Sequence, residues 1–321
     1  MEYSNIVMKK RREKILNRVA SIVKVDYAHK RGITGKGIGI AILDTGIYPH
    51  NDFEKRIIAF QDFIYRRRNS YDDCGHGTHI AGIAAGDGRM SNGYYRGIAP
   101  GANIISLKVL DYSGNGTVGN VLEGIEWIIR NKERYNIRVV NISVGTISKE
   151  EENEECQLVK GVNRAWDAGL VVCVAAGNNG PKPYSITTPG ISRKVITVGS
   201  SDDNQPVEVG GALLTDYSGR GPNAACIIKP DIVTPGSNIW ACKSIYRYRI
   251  RNGKGMYVKK SGTSMSTPVV SGACALLLSV YPQLTNAQVK RRLCESADDL
   301  GWESNRQGFG QLNIEKLLTL Y

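Results

Sequence analysis

No run of apolar residues in this sequence approaches the uninterrupted length needed to span a bilayer. No CxxC pair occurs either, so the seven cysteines (Cys74, Cys156, Cys173, Cys226, Cys242, Cys274 and Cys294) give no zinc-site spacing. Their odd number and wide separation fit free thiols in a reducing compartment. Cys173 and Cys274 lie in apolar runs and read as small core residues. A secretory signal is missing too: the apolar residues of 1–8 precede Lys9-Lys10-Arg11-Arg12, the reverse of a signal peptide. With Met1 in place, the expectation is a cytoplasmic protein. Internal repeats, low-complexity blocks, a second-domain linker and any RNA- or DNA-binding motif are also lacking.

What is present is a chain of 321 residues, 41% hydrophobic and rich in glycine, with 36. That is the composition of a compact, turn-rich globular protein, and a parallel α/β sheet of this size often forms one domain. The net charge of +12 could indicate an acidic partner. Its densest sources are Arg66-Arg67-Arg68 and the group Arg247, Arg249, Arg251, Lys254, Lys259 and Lys260, which read as solvated loops. No nucleic acid and no membrane partner is expected.

Short apolar runs at 39–44, 104–109, 138–143, 171–176 and 195–198 read as buried strands, too brief and too continuous for amphipathic helices. Between them, residues 117–134 place Val121, Ile125, Ile128 and Ile129 on one helical face, and residues 157–168 do the same with Val159, Val162 and Trp166. Strands separated by helices of this length imply parallel pairing through right-handed crossovers. The expected fold is α/β, a single-domain parallel sheet covered by helices on both faces. Residues 1–23 have helix-forming composition and read as a short leader, with the domain proper over 24–321.

In such sheets functional groups gather at the carboxyl ends of the strands. Asp44 ends the first strand, Ser143 and Gly145 another, and Asn178 follows a third. His76 and Ser264 stand at the starts of two small-residue or apolar helices. Alone, each residue has a plain explanation: a turn aspartate, a surface histidine, a capping serine, a turn asparagine. Together they supply a nucleophile, a base, an acid that orients the base, and an oxyanion donor. Their order along the chain, Asp, His, Ser, is that of subtilisin.

The motifs Ile42-Leu43-Asp44-Thr45-Gly46, Gly75-His76-Gly77-Thr78-His79-Ile80-Ala81-Gly82, Asn141-Ile142-Ser143-Val144-Gly145, Ala176-Gly177-Asn178 and Gly262-Thr263-Ser264-Met265-Ser266-Thr267-Pro268 resemble those of the subtilase family, and its intracellular bacterial members in style. The similarity runs from about Lys24 to the C-terminus. It implies a subtilisin-like fold and a serine endopeptidase working through an acyl-enzyme. Asp44, His76 and Ser264 would be the triad, and Asn178 would serve the oxyanion hole with the Ser264 backbone N–H. It also implies that a protein or peptide substrate lies as an extended strand between Ser143-Val144-Gly145 and Gly114-Asn115-Gly116, whose small residues admit a backbone. Ala175, Gly177, Thr187 and Thr188, next to Pro189, would line the first specificity pocket. None is acidic, so an apolar side chain before the cut is expected rather than Lys or Arg.

Three features depart from the family pattern. The leader is far shorter than a secreted relative's prodomain and is expected in or near the cleft. No cofactor is required for the chemistry, and a structural calcium is possible through Asp52, although the loop at 86–93 carries Arg89, which offers no oxygen ligand. Cys74 lies two residues before His76, where oxidation could block catalysis. The acidic run at 150–155 precedes a helix, where negative charge is stabilising. The competing classes are a catalytically silent scaffold of the same fold and a basic nucleic-acid-binding module.

Overall fold

The computed structural model describes residues 18–145, 155–222, 228–246 and 255–320. Cys226, most of the acidic run, residues 1–17 of the leader, and Arg247, Arg249, Arg251 and Lys254 lie outside them. The chain enters through two short helices, α1 (Arg18–Ile22) and α2 (Asp26–Lys30). Ala20 and Val23 are already part of the main core, so the packed body starts before the expected boundary at 24.

Seven strands form one sheet: β1 (Gly39–Asp44), β2 (Ile57–Asp62), β3 (Asn103–Lys108), β4 (Ile137–Ile142), β5 (Val171–Ala175), β6 (Ile196–Ser200) and, after a short hairpin, β9 (Ile232–Thr234). Their order is β2-β3-β1-β4-β5-β6-β9 and every pairing is parallel. The chain moves to one side of β1 for β2 and β3, then returns to its other side for β4, which opens a crevice at the carboxyl ends there. Two antiparallel hairpins stand apart from the sheet: β7 (Val207–Val209) with β8 (Ala212–Leu214), and β10 (Ile239–Cys242) with β11 (Tyr257–Lys260).

Alternating strand residues feed two cores. Ile40 and Ile42 of β1 join α3 (His76–Ala85) and α6 (Thr263–Val280) on one face. Ala41 and Leu43 join α4 (Val118–Asn131) and α5 (Gln157–Asp167) on the other. Burial on both faces is why these strands read as unbroken apolar runs. Thr117 caps α4 by accepting from the Asn120 N–H, which fixes the helix start within a residue of the sequence expectation. By length and composition α6 could cross a membrane, but it is packed at the centre of the main core, and that burial explains its composition. The fold closes with α7 (Asn286–Glu295), α8 (Ser304–Gln307) and α9 (Ile314–Thr319).

Candidate active site

Asp44 and His76 are brought together by a dense set of buried hydrogen bonds. His76 Nδ1–H donates to the Asp44 carboxylate, 2.7 Å from Oδ1 and 2.9 Å from Oδ2. Asp44 is fully buried while the His76 side chain keeps 24% exposure, so the acid sits behind the base and the base faces solvent. Burial alone would lower the His76 pKa; the charge of Asp44 and its hydrogen bond prevail and raise it. Close approach depends on Gly77, because a Cβ there would lie 2.2 Å from the Gly46 carbonyl oxygen and 3.2 Å from the Asp44 Cβ.

The clamp behind the pair is Asp72, which no motif singled out. Its buried carboxylate accepts from Thr45 Oγ1, the N–H groups of Cys74, Gly75 and Thr78, and Thr78 Oγ1. Thr45 Oγ1 in turn accepts from the Gly77 N–H. The turn after β1 is thus tied to the first turn of α3, where unpaired N–H groups favour a carboxylate. Lys108, also fully buried, donates from Nζ to the Thr45 and Leu110 carbonyls and pairs with Asp73 at 2.7 Å. His79, one turn along α3, donates from Nε2 to the Ile239 and Val258 carbonyls, and burial pulls its pKa down to about 3, so it stays neutral.

Ser264 stands in the first turn of α6, where its N–H has no intrahelical carbonyl to meet. Its Oγ donates to the Ser143 carbonyl at 2.9 Å instead of to His76. Turning the hydroxyl from one acceptor to the other exchanges one neutral hydrogen bond for another, each worth about 1 kcal/mol. A chain running Asn141–Ser143–Ser264 fixes the serine's backbone: Asn141 Nδ2 donates to Ser143 Oγ, which donates to the Ser264 carbonyl. Ser271 Oγ holds the Asn141 oxygen. Asn178 Oδ1 accepts from both Thr263 N–H and Thr263 Oγ1, which leaves its Nδ2 amide free for the cleft. His76, Asn178 and Ser264 line one open cleft of about 720 Å³.

A second, smaller cleft places Gly114, Asn115 and Gly116 across from Val144 and Gly145, with Leu110, Val121, Ile142 and Leu158 among its lining. Among the described residues, no charged side chain lines it. Thr187 forms the wall between Gly145 and Gly177: a Cβ would come 2.5 Å from its Oγ1 at Gly145 and 2.4 Å from its Cγ2 at Gly177. Ala175 is buried at the end of β5. Thr188 departs from expectation in detail, being 1% exposed and nearest Gly145 through its backbone carbonyl, so its side chain lies behind the wall.

The donor set near Asp52 does not fit calcium. The Asp52 carboxylate accepts from Met90 N–H, Tyr257 OH and the Cys242 thiol. The carbonyls of Asp52, Ala85 and Ala102 are taken by the Arg56 guanidinium, and Arg89 pairs with Glu54 and Asp87. Guanidinium groups already neutralise the oxygens that a hard cation would need. His50, Asp52 and Cys242 cluster within ligand range. His50, however, spends Nε2–H on the Met256 carbonyl and Nδ1 on the Asp52 N–H, leaving no lone pair for a metal. Cys74 sets its sulfur against the His76 backbone N–H, and burial raises its pKa, which keeps the thiol protonated.

A parallel sheet with an Asp–His pair, a serine at a helix start and an asparagine amide around one cleft defines a class of hydrolase. The model of the subtilase family matches residues 35–310, and the chain belongs to that family of serine endopeptidases. It is 43% identical to the serine protease AprX of Bacillus subtilis (strain 168) over 306 residues, covering 92% of this chain and 69% of that one. Subtilisin Savinase of Lederbergia lenta is 35% identical over 296 residues, covering 92% of this chain and 96% of that one. Among solved structures, a cold-adapted subtilisin-like serine proteinase superposes with a TM-score of 0.67 at 29% identity, over 87% of this chain and 88% of that one.

Proposed function

We propose that Ser264, His76 and Asp44 act as a triad that hydrolyses peptide bonds through an acyl-enzyme intermediate. The observation that carries this reading is the buried Asp44 carboxylate holding His76 Nδ1–H, which turns the other imidazole nitrogen toward the cleft that Ser264 lines. His76 Nε2 takes the proton as Ser264 Oγ attacks the carbonyl carbon, and then returns it to the departing amine. The tetrahedral oxyanion is met by Asn178 Nδ2 and the Ser264 N–H. The acyl portion of the substrate lies as a strand between Ser143-Val144-Gly145 and Gly114-Asn115-Gly116, and its N–H groups replace the Ser264 hydroxyl at the Ser143 carbonyl. Uncharged walls at Val144, Gly145, Gly177 and Thr187 favour an apolar side chain before the cut.

The described cysteines are all free, which supports a reducing compartment. The Arg56 and Arg89 contacts support an enzyme that works without calcium at the Asp52 loop. The leader is proposed to lie near the cleft, because Arg18, the first of its described residues, donates to the Ser237 carbonyl beside the cleft residue Asn238.

The test is hydrolysis of a mixed peptide library by the wild type and by Ser264→Ala, with mass spectrometry of the products and of the protein's own N-terminus. Cleavage should fall about 10⁶-fold in the variant, the magnitude established for subtilisin itself. Equal cleavage by both proteins would overturn the assignment.

A further inference from the structure

Beyond the reacting groups, the larger cleft is a canyon between the two hairpins. One wall is the β7–β8 hairpin with Val207, Glu208, Val209 and Leu213; the other is the end of β11, with Val258, Lys259 and Lys260. If the acyl portion of a substrate pairs with residues 143–145, as proposed above, the portion after the scissile bond has to leave through this canyon. The inference rests on that reading.

The canyon carries charge where the acyl-side cleft carries none. Among its described lining residues are Lys259, Lys260 and Glu208. In the register of the hairpin Lys260 stands opposite Ile239 and Lys259 opposite Trp240. Ile239 is buried and Trp240 is 47% exposed, so Lys260 shares the inner face of the hairpin and Lys259 the outer. Lys260 lines the same cleft as His76 and Ser264, at the reacting end of the canyon, and its charge opposes the rise at His76 and adds to the fall at His79. Neither lysine has a hydrogen-bonding or ion-pair partner among the described residues. Glu208, exposed on the opposite wall, is the one carboxylate among the described residues lining the canyon and pairs with neither.

We propose that Lys259 and Lys260 select peptides with acidic side chains in the first residues after the scissile bond. A substrate carboxylate there supplies the pairing that Glu208, on the far wall, does not give the two ammonium groups. The two unpaired cations draw it in over a distance of about a Debye length, roughly 10 Å at moderate salt.

The test uses the full-length protein and three quenched fluorescent peptides. They are identical up to the scissile bond and carry two glutamates, two alanines or two lysines directly after it, with the cut position read by mass spectrometry. At low ionic strength kcat/KM should rank glutamate over alanine over lysine, with about a three- to tenfold step between the first two. The steps should shrink at high ionic strength. Lys259→Glu combined with Lys260→Glu should reverse the ranking, judged by the ratio between peptides cut by the same protein. Equal rates on all three peptides by the wild type would overturn the inference while leaving the endopeptidase reading intact. A ranking unmoved by salt and by charge reversal would overturn it too. If none of the three is cut, the endopeptidase reading fails and this inference fails with it.

Discussion

The two sides of the cleft are built from different material. The proposed acyl side hangs on the central sheet: Ser143 and Gly145 follow β4, Ala175 and Gly177 end or follow β5, and the described residues lining that cleft are uncharged. The leaving-group side hangs on two hairpins outside the sheet, and its walls carry Glu208, Lys259 and Lys260. In the proposed mechanism the sheet positions the reacting serine, whose Oγ meets the Ser143 carbonyl just after β4. The hairpins can vary in length and charge without disturbing that geometry, so selection among substrates is free to reside there.

That division can be broken by separating chemistry from selection. Asn178→Ala removes the proposed oxyanion donor, which would serve every substrate alike, so kcat should fall about 10²- to 10³-fold, the range already established for the corresponding donor in subtilisin. The loss should be the same for glutamate, alanine and lysine peptides. A loss confined to one of them would show that Asn178 also serves the leaving side.

The pH profile sharpens the comparison at smaller amplitude. His76 must be neutral to act as base, and Asp44 raises its pKa above the ordinary 6.5. The acid limb of kcat/KM should therefore lie above 6.5, with activity lost as pH falls through it. Lys260 opposes that rise, so Lys260→Gln should move the limb further toward alkaline pH. A limb that stays in place or moves the other way would separate Lys260 from the reacting end of the canyon.

The smallest effect expected is that of a chelator. With Arg56 and Arg89 already on the oxygens around Asp52, EDTA should leave thermal unfolding and peptide hydrolysis unchanged. A fall in the unfolding temperature that added calcium restores would mean that these guanidinium groups yield to a metal.

What the sequence made legible follows the same division. β1 falls at the expected residues, and α4 and α5 fall within a few, because burial on two faces or on one stripe writes itself into apolar spacing. Asp44, His76, Asn178 and Ser264 were legible because small flanking residues mark close approach, as Gly77 shows. Asp72 and Lys108 were not: a buried carboxylate and a buried ammonium look like any surface pair until the fold surrounds them with partners. β2 was missed because its residues are mostly half-buried at the sheet edge, where the apolar run is broken by Gln61 and Asp62. Lys259 and Lys260 read as part of a solvated loop because one-dimensional spacing carries no hint that β11 borders the cleft.

The most direct measurement is covalent labelling by a serine-directed fluorophosphonate, followed by peptide mass spectrometry of wild type, His76→Ala and Asp44→Asn. The account expects one adduct, on Ser264, forming rapidly in the wild type together with loss of peptidase activity, and far more slowly in both variants. An adduct on another serine, or full peptidase activity in protein quantitatively labelled at Ser264, would contradict it.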